Sequence, residues 1–215
     1  MNSHPKSTRR IKGETASAEA LLQAAIHEFA ERGYRGTSIR RIATRAGVHP
    51  ALIRYYFQSK GQLQRTLLER AMAALSAVIG PALDQIHDAP SMRRALLDIL
   101  GGYLRYLESN HEFPRIIQRS LLDGDPVIIE IAEKHMKPFF DAIRSAVGDE
   151  DRNAELPQLM LDFFGLAISY FSYAPMIGPL LRTDPLSPAA LDRRRAHVLR
   201  LGEVVVDRIL GLAGG

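Results

Sequence analysis

The sequence predicts an all-α protein, a small N-terminal three-helix unit followed by a helical bundle, with about nine helices in total. Apolar residues recur at helical spacing almost throughout, and strand-like alternation bounded by turn residues is hard to find. Glycines and prolines fall between the periodic segments, where caps and breaks belong. A chain of 215 residues is long enough to bury a sizeable core and to form one large domain or two small ones.

Residues 1–14 are polar and basic and read as a disordered tail, ahead of a three-helix domain at 15–61 and a bundle at 62–215. From about Ala18 to Arg32, the residues Leu22, Ala25, Ile26 and Phe29 form one apolar stripe, and Gly33 stands where a C-terminal cap belongs. Thr37 suits the N-cap of a second helix whose inner face is Ile39, Ile42, Ala43 and Ala46, ended by Gly47. Pro50 suits the first turn of a third helix running through Phe57, with Val48, Leu52, Ile53 and Phe57 as core. Ser59 with Gln62 forms a capping box for a fourth helix, apolar at Leu63, Leu67, Ala71, Ala74 and Leu75, that ends or kinks at Gly80-Pro81. Further helices are expected at about 92–109, 114–122, 126–147, 154–174 and 187–211, with a kink or break at Pro138 and a loop from Gly178 to Pro185. Ser187-Pro188 is a cap followed by proline at the first helical position.

The absence of cysteine excludes disulfides, thiolate catalysis and cysteine-ligated zinc. The opening residues MNSHPKSTRRIKGET lack an apolar signal core, and no run of 18 apolar residues follows, so the expected location is cytoplasmic, away from membranes.

Charge is unevenly placed. Residues 1–60 hold 11 Lys or Arg against 4 acids, and the remaining residues hold 17 against 20. Between Glu31 and Glu69 there is no carboxylate, while eight Lys or Arg occur. Such a field points to a polyanion. Two short helices joined by a glycine turn and braced by a third form a helix-turn-helix, whose second helix presents its N-terminal side chains to base edges in a major groove. His49, Pro50, Ala51 and Arg54 occupy that end. Arg54 is suited to a bidentate contact with guanine, His49 could donate to a base or a phosphate, and Pro50 and Ala51 could meet a thymine methyl. Thr37, Ser38, Arg40, Arg41, Tyr55, Tyr56 and Lys60 are the candidate phosphate contacts, whereas Arg45 reads as a solvated charge.

The run AAIHEFAERGYRGTSIRRIATRAGVHPALIRYYFQSKGQL resembles the DNA-binding domain of the tetracycline-repressor (TetR) family of bacterial regulators. FAERGY, the TS-I-IA--AG pattern, Tyr56-Phe57 and Ser59-Lys60 fall in register with it over about residues 18 to 65. The resemblance implies a homodimer that reads two halves of a near-palindromic operator on double-stranded DNA, and a helical body that binds a small-molecule inducer. It also implies that Thr37, His49, Tyr56 and Lys60 meet DNA, and that the last two helices of each subunit form a four-helix interface. His49-Pro50-Ala51 departs from the usual capping residue followed by a small one, Arg54 stands where tyrosine is frequent, and Gly61 replaces a common glutamate. The operator sequence therefore does not carry over.

In the body, the apolar residues Leu159, Phe163, Leu166, Ala167, Phe171, Val198, Leu201, Val205 and Ile209 are the candidate dimer interface, because both faces of the helix at 154–174 are apolar. Arg193, Arg194 and Arg195 read as a solvated or salt-bridged rim. Tyr103, Tyr106, Phe113, Ile117, Gln118, Leu121, Phe139, Phe140, Phe164 and Tyr170 are candidates to line a cavity for an uncharged or aromatic, mainly apolar ligand. No cofactor or metal is expected: His111, Glu112 and His135 lack the spacing of a metal site, and no GxSxG, P-loop or dinucleotide fingerprint is present, which argues against an enzyme. The function implied is that of a ligand-responsive repressor. The alternatives are a DNA-binding architectural or activating factor without an effector, and an enzyme or oligomerisation scaffold with an accessory head.

Overall fold

The computed structural model describes residues 6–147 and 150–211. Nine α-helices and no strand occur among them. In chain order they are α1 (Lys6–Gly36), α2 (Ile39–Ala46), α3 (Ala51–Phe57), α4 (Lys60–Leu83), α5 (Ala89–Ser109), α6 (Phe113–Leu122), α7 (Pro126–Val147), α8 (Glu150–Leu181) and α9 (Pro188–Ile209). They divide into two compact units. The first comprises the chain up to Ala71 together with Ile116–Ile128, and the second holds Met72–Arg115 and the chain from Ile129 onward.

In the first unit α1 packs on α2 and α3. Leu21, Leu22, Ala25 and Phe29 of α1 close over Ile42, Ala43, Ile53 and Phe57, and Leu63 and Leu67 of α4 are buried in the same unit. The turn between α2 and α3 depends on Gly47, at φ 67°, whose N–H together with that of Val48 satisfies the last carbonyls of α2. Ile39, expected in the core, is 36% exposed, because the chain enters α2 one residue later than the sequence suggested. Ser38 rather than Thr37 caps α2, accepting from the Arg41 N–H at 3.2 Å.

The second unit is a bundle in which α5 packs on α8 and α9, and α8 on α9. Asp88 and Ser91 form a reciprocal capping box at the start of α5, and Arg93 on α5 forms a bidentate pair with Asp207 on α9. Gly202 of α9 lies so close to α5 that a Cβ there would stand 2.6 Å from Leu100 Cδ2.

Two boundaries differ from expectation. Residues 6–14, read as a disordered tail, belong to α1, while residues 1–5 lie outside the described residues. Polarity is no bar to order, since the Lys, Arg and Glu of this stretch are good helix formers that extend a helix already nucleated by packing. Helix α8 also runs through Pro175 and Pro179 to Leu181, past the loop expected from Gly178. A proline inside a helix removes one hydrogen bond and does not by itself end the segment. By length and hydropathy alone, α4 and the Pro157–Leu181 part of α8 could cross a bilayer. Helix α4 instead buries Leu63, Leu67, Leu68, Met72 and Leu75 within the protein.

At Gly202 the gain of ~1 kcal/mol that alanine brings to a helix competes with ~1–3 kcal/mol of overpacking against buried Leu100. Gly202→Ala is therefore expected to lower stability, measured as the midpoint of denaturant unfolding.

Candidate nucleic-acid interface

The end of α1 is fastened by side chains that the sequence offered as phosphate contacts. At Gly33 the backbone leaves the helix with φ 69°, freeing carbonyls that need partners. Thr37, only 2% exposed, turns its hydroxyl inward, 2.8 Å from the Gly33 carbonyl and 3.0 Å from that of Glu28. Lys60, at the first turn of α4, donates from Nζ to the carbonyls of Tyr34 and Thr37, both at 2.8 Å, and its ammonium lies 4.1 Å from the centroid of the Tyr34 ring. Burial holds this ammonium below the usual lysine value. Thr37 and Lys60 thus shape the head rather than presenting free donors to a phosphate. Sequence could not distinguish the roles, because a hydroxyl and an ammonium beside a helix end serve internal carbonyls and external phosphates equally well.

Arg45, read as a solvated charge, is instead ion-paired: its Nε stands 2.7 Å from Oε1 of Glu28, and its Nη2 stands 3.6 Å from Glu31. Burial alone would raise the Glu28 carboxyl, but the hydrogen bond from Arg45 and the guanidiniums of Arg45, Arg32 and Arg41 outweigh it and hold the group below its usual value.

Around this frame the other predicted residues remain on the surface. Ser38, Arg40, Arg41, His49, Ala51 and Arg54 are exposed, Pro50 and Tyr56 are half-buried, and Tyr55 is 65% exposed. His49 accepts at Nδ1 from the Ala51 N–H at 3.2 Å, taking the place of a capping residue before α3. That bond leaves Nε2 as the donor in the neutral ring. The Tyr55 and Tyr56 rings meet edge to face at 4.8 Å, and Tyr56 also meets Phe57 at 6.3 Å, so Tyr56 packs inward while Tyr55 points out. The result is that His49 and Ala51 stand exposed at the start of a short helix and Arg54 in its last turn, with Arg40 and Arg41 exposed on the neighbouring one.

The predicted ligand-binding residues divide. A small apolar cavity of about 60 Å³ in the second unit is lined by Tyr103, Phe139 and Phe164, together with Leu75, Ile79, Leu96, Ile99, Leu100, Met136, Ile143, Leu159, Phe163 and Val206. Tyr103 is the one lining residue with a polar side-chain atom, and burial pushes its phenol above the usual tyrosine range, with Tyr106 adding to the shift, so it stays a protonated donor. Its ring meets Phe164 edge to face at 5.7 Å. Tyr106, Phe113, Phe140 and Tyr170 do not line the cavity. Tyr106 and Phe113 pair with each other at 5.9 Å, Phe140 packs on Phe139 at 5.4 Å, and the Tyr170 hydroxyl donates to the Pro185 carbonyl at 2.7 Å. Burial pushes the Tyr106 phenol up to about 12. Ile117, Gln118 and Leu121 fall in the first unit, with the head. Aromatic content drew attention to Tyr106, Phe113, Phe140 and Tyr170, and only tertiary placement separates a cavity wall from ordinary packing; Leu121 is 54% exposed.

The predicted dimer residues divide too. Leu159, Ala167, Phe171, Val198 and Ile209 are buried within the single chain, and Leu159 and Phe163 line the cavity. Phe163, Leu166 and Val205 are half-buried. Of the predicted set only Leu201 is exposed, at 39%, joined on α9 by Val204 at 68% and on α8 by Leu161, Tyr173, Met176 and Leu180. A helix apolar on both faces buries one in its own core, and the spacing does not say which. In the predicted rim, Arg195 pairs with Glu108 and Asp192, and Arg194 donates to the Leu166 carbonyl at 2.6 Å.

Comparison with known proteins places this geometry. Residues 21–66 match the sequence profile described as bacterial regulatory proteins, tetR family. The HTH-type transcriptional repressor Rv3405c of Mycobacterium tuberculosis is 30% identical over 190 residues, covering 87% of this chain and 90% of that one. A TetR-like transcriptional regulator from Rhodococcus has a similar fold, with a TM-score of 0.60 at 19% identity over 93% of this chain and 97% of that one. The transcriptional regulator FadR from Bacillus subtilis, solved in complex with stearoyl-CoA, gives a TM-score of 0.58 at 17% identity over 89% and 97% of the two chains.

Because Lys60 serves internal carbonyls, Lys60→Gln is expected to lower the stability of the head by ~1–2 kcal/mol. The slope of DNA affinity against salt should stay unchanged, where loss of a phosphate contact would remove about 0.9 from it. Thermal unfolding and a salt-series binding titration check the two parts.

Proposed function

This chain belongs to the tetR family of bacterial regulatory proteins, DNA-binding transcriptional regulators with a helix-turn-helix head, and we propose that it is a repressor released from its operator by a small, mainly apolar effector. The observation that carries the reading is the exposure of His49 and Ala51 at the start of α3 and of Arg54 in its last turn, set on a head without carboxylates between Glu31 and Glu69. Arg54 presents two parallel donors to a guanine edge, His49 presents its Nε2 donor to a base or phosphate acceptor, and Ala51 and Pro50 offer apolar contact to a thymine methyl. Arg40, Arg41, Ser38 and Tyr55 face the flanking phosphates, with Tyr56 supporting Tyr55.

Two heads are needed for a near-palindromic operator, and the exposed apolar residues of α8 and α9 are where a second copy docks: Leu161, Met176 and Leu180 on one helix, Leu201 and Val204 on the other. The cavity beside Tyr103 supports an effector that is apolar and uncharged, with an acceptor for the phenol proton. At about 60 Å³ the cavity must widen to admit one, so binding is coupled to rearrangement of the bundle. FadR, of similar fold, was solved with stearoyl-CoA, which joins a long apolar acyl chain to a charged coenzyme A, and the acyl part is the precedent for an apolar ligand. Action on DNA and on a diffusible effector fits a cytoplasmic protein that is neither an enzyme nor membrane-bound.

Competition between a cognate duplex from the adjoining promoter and a random duplex tests the reading. The protein should prefer the promoter, and equal affinity for both would refute sequence-specific regulation. Arg54→Ala should lose ~1–3 kcal/mol at the cognate site and little at random DNA. Leu201→Glu combined with Val204→Glu should convert the dimer to a folded monomer in analytical ultracentrifugation; an unchanged sedimentation coefficient would place the interface elsewhere.

A further inference from the structure

Glu28 stands on α1, within the head but apart from the edge assigned to DNA, and its side chain is only 4% exposed. Three guanidiniums converge on it. Arg45 Nε donates to Oε1 at 2.7 Å, while Arg32 Nε lies 3.3 Å and Arg41 Nε 3.8 Å from Oε2. Oε2 is closed off from solvent and takes no hydrogen bond among the described residues. A buried carboxylate oxygen in that state draws on the nearest available cation, because its desolvation is offset only by pairing. Arg32, on α1 itself, is that cation at 3.3 Å; Arg41, at 3.8 Å and 50% exposure, stands second to it and is equally open to an anion outside the protein.

Helix α2 carries three arginines, Arg40, Arg41 and Arg45. Glu28 engages Arg45 directly and holds Arg41 at the margin, leaving Arg40 outside its reach. Binding of a basic head to duplex DNA of any sequence strengthens with each phosphate neutralised, whereas discrimination depends on the difference between cognate and random affinity. An internal anion that withdraws cations from phosphates, without touching His49 or Arg54, weakens the sequence-independent part of binding and leaves the contacts to base edges in place. We propose that Glu28 restrains the sequence-independent binding of the head: it holds Arg45 of α2, and in part Arg41, toward α1, and so limits how many phosphates the head neutralises on any duplex. The proposal rests on the α2–α3 face being the DNA interface. A carboxylate that only braced α1 against α2 would affect stability and leave the salt dependence alone.

The test is an anisotropy titration of a labelled random-sequence duplex by the full chain over a salt series, with thermal unfolding in parallel. E28Q should steepen the fall of log affinity with log salt by about 0.9 for each arginine freed per head, and tighten random binding about tenfold at low salt. A folded E28Q with the wild-type slope overturns the proposal. Should E28Q fail to fold, R45Q carries the test: an Arg45 held by Glu28 contributes no phosphate contact, so the slope should match wild type, and a fall of about 0.9 overturns the proposal. Wild-type protein whose affinity does not respond to salt would refute the DNA interface itself, before any variant is compared.

Discussion

The head depends on how the kinked end of α1 finds partners for its carbonyls. Gly33 takes a positive φ, the helical ladder stops, and the acceptors it strands are met by the Thr37 hydroxyl and the Lys60 ammonium. Those two side chains tie three elements together, because Thr37 immediately precedes the cap of α2 and Lys60 begins α4. The angle at which α2 and α3 leave α1 is thereby fixed. Rigid placement is what a reading helix needs, since a base edge tolerates little error in donor position. The apolar faces of α1, α2 and α3 supply the stability of the head, and the polar knot supplies its geometry.

The same economy governs charge. A carboxylate-free stretch with eight cations looks like a surface devoted wholly to DNA. Folding sorts those cations: Lys60 serves backbone carbonyls, Arg45 and Arg32 pair with Glu28 from α1, and Arg40 and Arg54 stay exposed without an ion pair among the described residues. Glu28 precedes the carboxylate-free window in sequence yet reaches its side chain into it in space. No count along the chain could reveal that.

The fold class and the helices of the head were legible because helical periodicity and glycine position are local signals, seen at Gly33, Gly47 and the stripe of Leu22, Ala25 and Phe29. The exposure of His49 and Arg54 was legible for the same reason: both sit at fixed offsets from the Gly47 turn. Roles set by tertiary placement were not legible. Thr37 and Lys60 turned inward, Phe171 and Val198 joined the core of one chain, and Ile117 and Gln118 went with the head rather than the cavity. For Thr37, Lys60, Phe171 and Val198 the residue type fits the polar or apolar partner it finds, and that partner lies within the chain. Helix α8 adds a milder case, since its prolines suggested an end that backbone bonding elsewhere along the helix overrides.

Methylation interference on an operator fragment addresses the central claim, that α3 reads DNA from the major groove. A methyl group on guanine N7 projects into that groove, and one on adenine N3 into the minor groove. The account predicts interference at guanine N7 in two clusters about one helical turn or a multiple of it apart, one for each head of a dimer. Interference confined to adenine N3, or a single cluster without a symmetry mate, would contradict it.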